Sequence, residues 1–295
     1  MLNTARPTVV SGIKPQPYYV AFCNVLGFKD IIRNATDLRV LHRDYDELIN
    51  EAQRLAQTYM TTSVSGQQLL FSCEFGHSHF SDTVILWSER INQHMSSDPL
   101  EMALMPNGLQ SNGITTPDTL PSEIMAAADR AMDTGFFMSL LFLMTIGLKR
   151  RFPLRMGVAY GDCIMDREKA IYLGQPIVDA HQTEQCQDWI GAGVHPSCET
   201  SPRGPHLSSL ICAGSRVLVD CEIPLKPCAV TTNKDVPRLA LNWPLVDRLV
   251  LEPPTVESVL KAGEIEARGK KHHAKWDHAI DFYRSHSQAS VQPDG

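Results

Sequence analysis

The sequence predicts an α/β (α+β) domain in which helices lie on one mixed sheet, and three observations carry this. Hydrophobic content of 43% with 20% charged residues is the composition of a folded globular chain. Segments with strand-like and helix-like patterning follow one another in the order β-α-α-β-β-α-β-β-α, without an internal repeat or a low-complexity tract. At 295 residues the chain is long enough to bury a full core without metal or disulfide staples.

The first 17 residues read as a flexible tail with no apolar run behind Arg6, unlike an export signal. Tyr18 to Leu26 is a short apolar, β-rich run between Pro17 and Gly27, which predicts a buried strand. Phe28 to Arg33 predicts a short helix. From Leu38 to Met60 apolar residues recur at 41, 45, 48, 49, 52, 55, 56 and 59, an amphipathic helical period. Leu69–Phe75 and His79–Trp87 predict a β-hairpin turning at Gly76-His77-Ser78. Ser97 to Pro121 is rich in Pro, Gly, Asn, Ser and Thr and predicts a surface loop. Ser122 then opens a helix as its N-cap. That helix runs through the most apolar stretch, Gly135 to Leu148, which is ~14 residues and short of the ~20 that span a membrane.

Beyond Pro153, Leu154 to Tyr160 predicts a strand ended by Gly161-Asp162, with a short strand at Ile171–Leu173 and a helix over Val178–Trp189. Gly, Pro, Ser and His break up Gly191 to Gly214. Arg216–Cys221 and Pro237–Trp243 predict strands, Glu257–Arg268 and Lys275–Ser285 closing helices, and 287–295 a disordered tail.

The net charge is −6, which argues against a phosphate-backbone footprint and so against nucleic acid as a partner. Eight cysteines with no Cys-x-x-Cys pair and no export signal read as reduced, mostly buried thiols of a cytoplasmic chain without a membrane anchor. No Gly-x-x-x-x-Gly-Lys-Ser/Thr occurs, which excludes a phosphate-loop NTPase, and Gly191-Ala192-Gly193 is too slight for dinucleotide binding.

Four segments carry candidate chemistry. In Phe22-Cys23-Asn24-Val25-Leu26-Gly27-Phe28 a polar amide sits inside an apolar strand, either a satisfied core Asn or a ligand. In Phe80-Ser81-Asp82-Thr83-Val84-Ile85-Leu86-Trp87 a carboxylate leads into a second apolar strand, either a turn cap or a charge awaiting a cation. In Leu154-Arg155-Met156-Gly157-Val158-Ala159-Tyr160-Gly161 a mid-strand glycine leaves room for a close approach. The fourth, Tyr172 to Glu184, is a strand, a glycine turn and a helix start. His77 and His79, two apart with Asp82 nearby, offer a zinc-type alternative to solvent-exposed turn histidines.

In order and spacing the four segments resemble the catalytic domain of class III nucleotidyl cyclases, over roughly Tyr18 to Trp189. The family's first strand carries aromatic-x-Asp-hydrophobic-x-Gly-Phe, its hairpin a second metal Asp like Asp82, and a later strand Arg-hydrophobic-Gly-x-x-x-Gly like Arg155, Gly157 and Gly161. Gly174, Ala180 and Glu184 match the following segment. Val178 and Gln182 stand where purine cyclases have the ribose-binding Asn and the transition-state Arg, and Ser78 and Ile171 fall near the purine-selecting positions. In these departures, and in Ala240-Leu241-Asn242-Trp243 and Lys275 to Tyr283, the chain looks like the pyrimidine cyclases of bacterial anti-phage Pycsar systems.

The resemblance implies a class III cyclase-like mixed sheet flanked by helices, with a cyclase core at 18–190 and a C-terminal extension at 191–286 packed on it. It implies a phosphorus-oxygen lyase that converts UTP, or alternatively CTP, to the 3′,5′-cyclic nucleotide and pyrophosphate. Two divalent ions, Mn²⁺ or Mg²⁺, would be held at Asn24, the carbonyl of Val25 and Asp82, with Asn24 and Asp82 as the catalytic pair. Gly27, Phe28, Lys29 and Arg155 are the implied nucleotide- and phosphate-binding residues, and the basic stretch Arg268 to Lys275 is either a solvated helix face or a group that would reach phosphate across a dimer. The implied partners are a second copy with shared sites and a separate effector that the cyclic nucleotide activates. Asn24 stands where the family has Asp, which implies a silenced copy, a variant with altered chemistry, or a non-catalytic nucleotide-binding pseudo-cyclase.

Overall fold

The computed structural model describes residues 14–59, 62–64, 67–69, 75–88, 122–200, 204–211, 216–227 and 236–287. The predicted loop at Ser97–Pro121 and the tail at 288–295 lie outside the described residues, as do residues 1–13.

Strand β1 (Gln16–Val25) leads into α1 (Phe28–Asn34) and α2 (Leu38–Tyr59), followed by a separate small hairpin of β2 (Thr62–Val64) and β3 (Gln67–Leu69). Then come β4 (Phe75–Phe80), β5 (Thr83–Ser88), the long helix α3 (Ser122–Lys149), β6 (Leu154–Asp166), β7 (Ile171–Gly174) and α4 (Gln175–Cys186). The rest supplies β8 (Ala192–Val194), α5 (Gly204–Ile211), β9 (Leu218–Asp220), β10 (Leu239–Leu241), α6 (Val256–Ala267) and α7 (His273–Ser287).

The fold is an α/β domain on an eight-stranded mixed sheet, ordered β4-β5-β1-β6-β8-β10-β9, with β7 paired to β6 off that path. The β6–β8 pair is parallel and the other pairings are antiparallel. The segment beyond residue 190 therefore extends the same sheet.

Side-chain alternation along β1 divides the core. Tyr19, Ala21, Cys23 and Val25 join α2 and α3 in the large cluster, while Tyr18 and Val20 face α4 with Ala159 and Ala180. From Ala131 onward helix α3 is apolar on nearly every face because it is covered on nearly every face. The sheet and α2 take one side, and the segment from Trp243 to Glu252 wraps the other. Thr145 Oγ1 donates to the Trp243 carbonyl at 3.0 Å, and Lys149 Nζ donates to the carbonyls of Val250 and Glu252. By length and hydropathy Arg130–Lys149 would cross a membrane, contrary to the shorter stretch expected from sequence, yet 89% of it is buried within the protein.

Several boundaries differ from expectation. The hairpin turns at Ser81-Asp82, with Ser81 at φ 59°, and not at Gly76-His77-Ser78. Gly76 is a packing glycine inside β4: a Cβ there would lie 2.0 Å from the ring of Trp87, its cross-strand partner. Strand β1 starts at Gln16, inside the predicted tail. Strand β6 runs five residues beyond Gly161, because β1 and then β7 continue to pair with it. Strand β8 and α5 lie in the region of Gly191–Gly214, where breakers masked a buried three-residue strand. Helix α4 begins at Gln175 with Pro176 in its first turn, where a missing N–H costs nothing.

Among the described residues Cys23, Cys163, Cys186, Cys198 and Cys221 are free thiols. Burial pushes each up, Cys163 to about 12 and Cys221 to about 11, which leaves them protonated and inert.

Helix α4 docks on β6 through a buried ion pair. Arg155 is 4% exposed and Glu184 0%. The guanidinium donates to Glu184 Oε1 from Nε at 2.7 Å and to the carbonyl of Gln187 at 3.1 Å. Two positions along, Gly157 admits the helix backbone: a Cβ would lie 2.0 Å from the Ala180 carbonyl. Arg155→Ala leaves a buried carboxylate uncompensated and is expected to cost about 3–5 kcal/mol. The apolar pair Arg155→Met with Glu184→Leu should melt far closer to the parent. Equal losses in thermal melts of the two variants would contradict a docking role for the ion pair.

Candidate functional site

Strand pairing sets the site. Asn24 lies opposite Thr83 of β5 on one side and Arg155 of β6 on the other, and the amide of Val25 donates to the carbonyl of Asp82 at 2.8 Å. Positions 24, 25 and 82 are thus backbone neighbours at the end of the sheet where β1 runs out. Asn24 is half-buried, and its Oδ1 is fully buried with no hydrogen-bond partner. An amide oxygen left without a donor is costly, and a bound cation is one way to satisfy it. On the other face of β1, Tyr45 of α2 is held above its ordinary range, first by burial and then by Cys23 and Asp82, so the Asp82 charge is felt across the turn.

Asp82, Asn24 and the Val25 carbonyl are oxygen ligands of the kind a hard divalent cation takes, and what brings them near one another is the backbone pairing, since neither Asn24 nor Asp82 lines either of the two cavities described below.

The implied phosphate-binding residues do not gather. Gly27, at φ 73° with open space above it, lines a cleft of about 660 Å³ together with Arg151, Lys270, His272 and Lys275. Phe28 turns the other way, onto Tyr45 at 5.9 Å, and lines a separate apolar pocket of about 410 Å³. Lys29 is exposed on α1 and lines neither cavity. Arg155 is corrected outright: Glu184 and Gln187 occupy its guanidinium, so it holds a helix and has no free face for phosphate. Helix α1 has only seven residues, and the carbonyl of Gly27 already accepts from the amides of Asp30 and Ile31.

Of the basic residues between α6 and α7, Lys270 and His272, both exposed, and the half-buried Lys275 line the same cleft as Gly27 of their own chain, a placement that the sequence does not show. Burial, and then the positive charge of Arg155, hold the Lys275 ammonium below its ordinary range. The available signal was the run of cations at a helix–helix junction. Nothing in the local sequence says which surface that junction meets.

Among the described residues, one group of three ligand-type side chains has all its ligand atoms within 4.8 Å, namely Glu264, His273 and Asp277 on α6 and α7. It is not at positions 24 and 82, and it is internally paired: His273 meets Glu264 through Nε2 at 3.3 Å and Asp277 through Nδ1 at 2.9 Å.

No family model matches the chain, and no curated protein matches it in sequence. Among solved structures, a bacterial light-regulated adenylyl cyclase is similar at a TM-score of 0.40 and 9% identity, covering 85% of this chain and 58% of that one.

Proposed function

We propose that this chain is a nucleotide-binding protein of the nucleotidyl cyclase type, with a pyrimidine triphosphate, UTP before CTP, as its ligand. The observation that carries the reading is the buried, unpartnered Oδ1 of Asn24, one residue before the Val25 amide that donates to the Asp82 carbonyl. It sits three residues from the glycine that opens a cation-lined cleft. Arg151, Lys270 and Lys275 supply positive charge where a triphosphate would lie, and Asp30 and Glu266 on the same walls keep the empty cleft from being strongly basic. UTP is preferred to purines because Ser78 and Ile171 cannot read a purine edge.

In the cyclase reaction the ribose 3′-oxygen attacks the α-phosphorus, its proton leaves to solvent or base, and pyrophosphate departs. A divalent cation held by Asn24 and Asp82 would lower the 3′-hydroxyl pKa and offset phosphate charge. The protein's own part is electrostatic: Lys270 and Lys275 hold the charged tail while the end of β1 presents oxygen ligands.

Asn24 bears on turnover. It lies beside Arg155, whose charge Glu184 already balances, so an Asp at 24 adds a buried charge with no protein partner. Asn24→Asp should therefore melt below the parent without metal, recover with Mn²⁺ more than the parent does, and raise cyclisation by orders of magnitude. Mass spectrometry of products from each of the four triphosphates, on both chains, reads the activity. No gain in the variant, with melting unaffected by Mn²⁺, would overturn the metal assignment. Nucleotide binding by both chains without product would select the second reading, a non-catalytic pseudo-cyclase, which Asn24 itself favours.

Lys275→Ala should weaken triphosphate binding by about tenfold or more while barely affecting nucleoside binding, since a charge-assisted contact is lost. Isothermal titration of UTP against uridine tests this; equal effects on the two would remove Lys275 from phosphate binding.

The reading includes a homodimer. Ile171 and Leu173 on one face of β7, with Val178 on the adjoining α4, expose apolar side chains of the kind a second copy covers. Sedimentation should give a dimer at micromolar concentration that Leu173→Glu disrupts, whereas a monomeric parent chain would refute it.

A further inference from the structure

We propose that His42, Asp46, His77 and His79 form a binding site for a zinc-type transition-metal ion that pins α2 to the edge strand β4. The four residues come from two elements with matched spacing. His77 and His79, two apart, share one face of β4, and His42 and Asp46, four apart, share one side of α2. Helix α2 lies over that strand face: Gln53 Nε2 donates to the Phe75 carbonyl at 3.1 Å, and the Tyr45 ring meets His79 at 5.2 Å. His42, Asp46 and His79 line one pocket of about 410 Å³.

The ring geometry suits a shared ion. The His77 and His79 ring centres are 5.2 Å apart with the planes at 88°. Two imidazoles bound to one tetrahedral zinc at ~2.0 Å have ring centres about 5 Å apart. No side-chain hydrogen bond joins the rings of His42, His77 or His79 to another described residue, so their ring nitrogens are not committed within the described structure. Asn50 Nδ2 donates to Asp46 Oδ2 at 3.3 Å and orients that carboxylate from outside, as outer partners of metal ligands do.

Three imidazoles and a carboxylate are a donor set for zinc, cobalt, nickel or copper, not for magnesium. Four protein ligands close the site and give it a structural role. All four side chains are exposed and their ligand atoms do not already converge within 4.8 Å, so the ion would draw them together. The hairpin so anchored is the one whose turn carries Asp82, yet the site stands whether or not the nucleotide reading does. The tighter group on α6 and α7 is the weaker candidate, because Glu264 and Asp277 already engage opposite nitrogens of His273 and Arg268 holds Glu264 at 3.0 Å.

The test uses the full chain stripped with a chelator and titrated with Co²⁺, then with Zn²⁺ or Mg²⁺ as competitor. One ion per chain, with the intense visible absorption of tetrahedral Co²⁺, displaced by Zn²⁺ and not by Mg²⁺, is the expected result. His77→Ala, His79→Ala and His42→Ala should each weaken binding at least about tenfold, with metal-free melting unchanged because these rings hold no structural hydrogen bond. His273→Ala should bind as the parent does. Absence of the Co²⁺ band, its survival when both β4 histidines are removed, or its loss in His273→Ala would overturn the proposal.

Discussion

The Arg155–Glu184 pair is the interaction on which the rest of the architecture depends. It is buried at both ends, so it exists only while α4 lies on β6 and β1. The carboxylate of Glu184 would be intolerable without the guanidinium, and the guanidinium needs the Gln187 carbonyl to complete its donors. Gly157 makes this approach possible by leaving the strand bare where the Ala180 carbonyl comes down, and at Gly161 a Cβ would lie 3.0 Å from the ring of Pro176 on the same face. Three conspicuous residues of one strand thereby serve one purpose. They set the height and angle of a helix, and through it the start of β8, which pairs parallel to β6 just beyond.

A second constraint comes from α3. A helix apolar all round must be enclosed, and the sheet covers only one side. The C-terminal segment encloses the other, held by Thr145 to Trp243 and by Lys149 to the Val250 and Glu252 carbonyls, with Asp247 3.4 Å from the same ammonium. Once that wrap is made, α6 and α7 have no choice but to lie beside the end of β1. The positive charge between them then falls on the cleft of Gly27 in the same chain. The burial demand of one helix thus decides which cations face the sheet end.

What was legible in the sequence was what depends on local period. Strand β1 and the amphipathic α2 follow from side-chain spacing alone, and their observed bounds lie within two residues of those expected. Non-local causes were not legible. Gly76 looks like a turn residue until Trp87 is known to lie across from it, and Arg155 looks like a ligand-facing cation until Glu184, 29 residues on, is brought to it. Order and spacing suggest that positions 24 and 82 are neighbours, and the β1–β5 register places the backbone of Asn24 opposite Thr83, the residue after Asp82. The basic junction before α7 could be recognised as charged, but which surface it meets is settled only by the wrapping of α3.

Position 24 concentrates these constraints. Its neighbours on the sheet are Thr83, which is neutral, and Arg155, which is already balanced, so Asn at 24 adds no charge to that of Asp82. The cost of that neutral side chain is a buried oxygen without a donor. A carboxylate in the same place would exchange the orphaned amide for an unbalanced charge, several times more expensive in a half-buried setting unless a cation is bound. On the metal reading proposed above, Asn would leave the sheet end independent of metal at the cost of a weaker oxygen ligand, whereas Asp would tie its stability to metal occupancy.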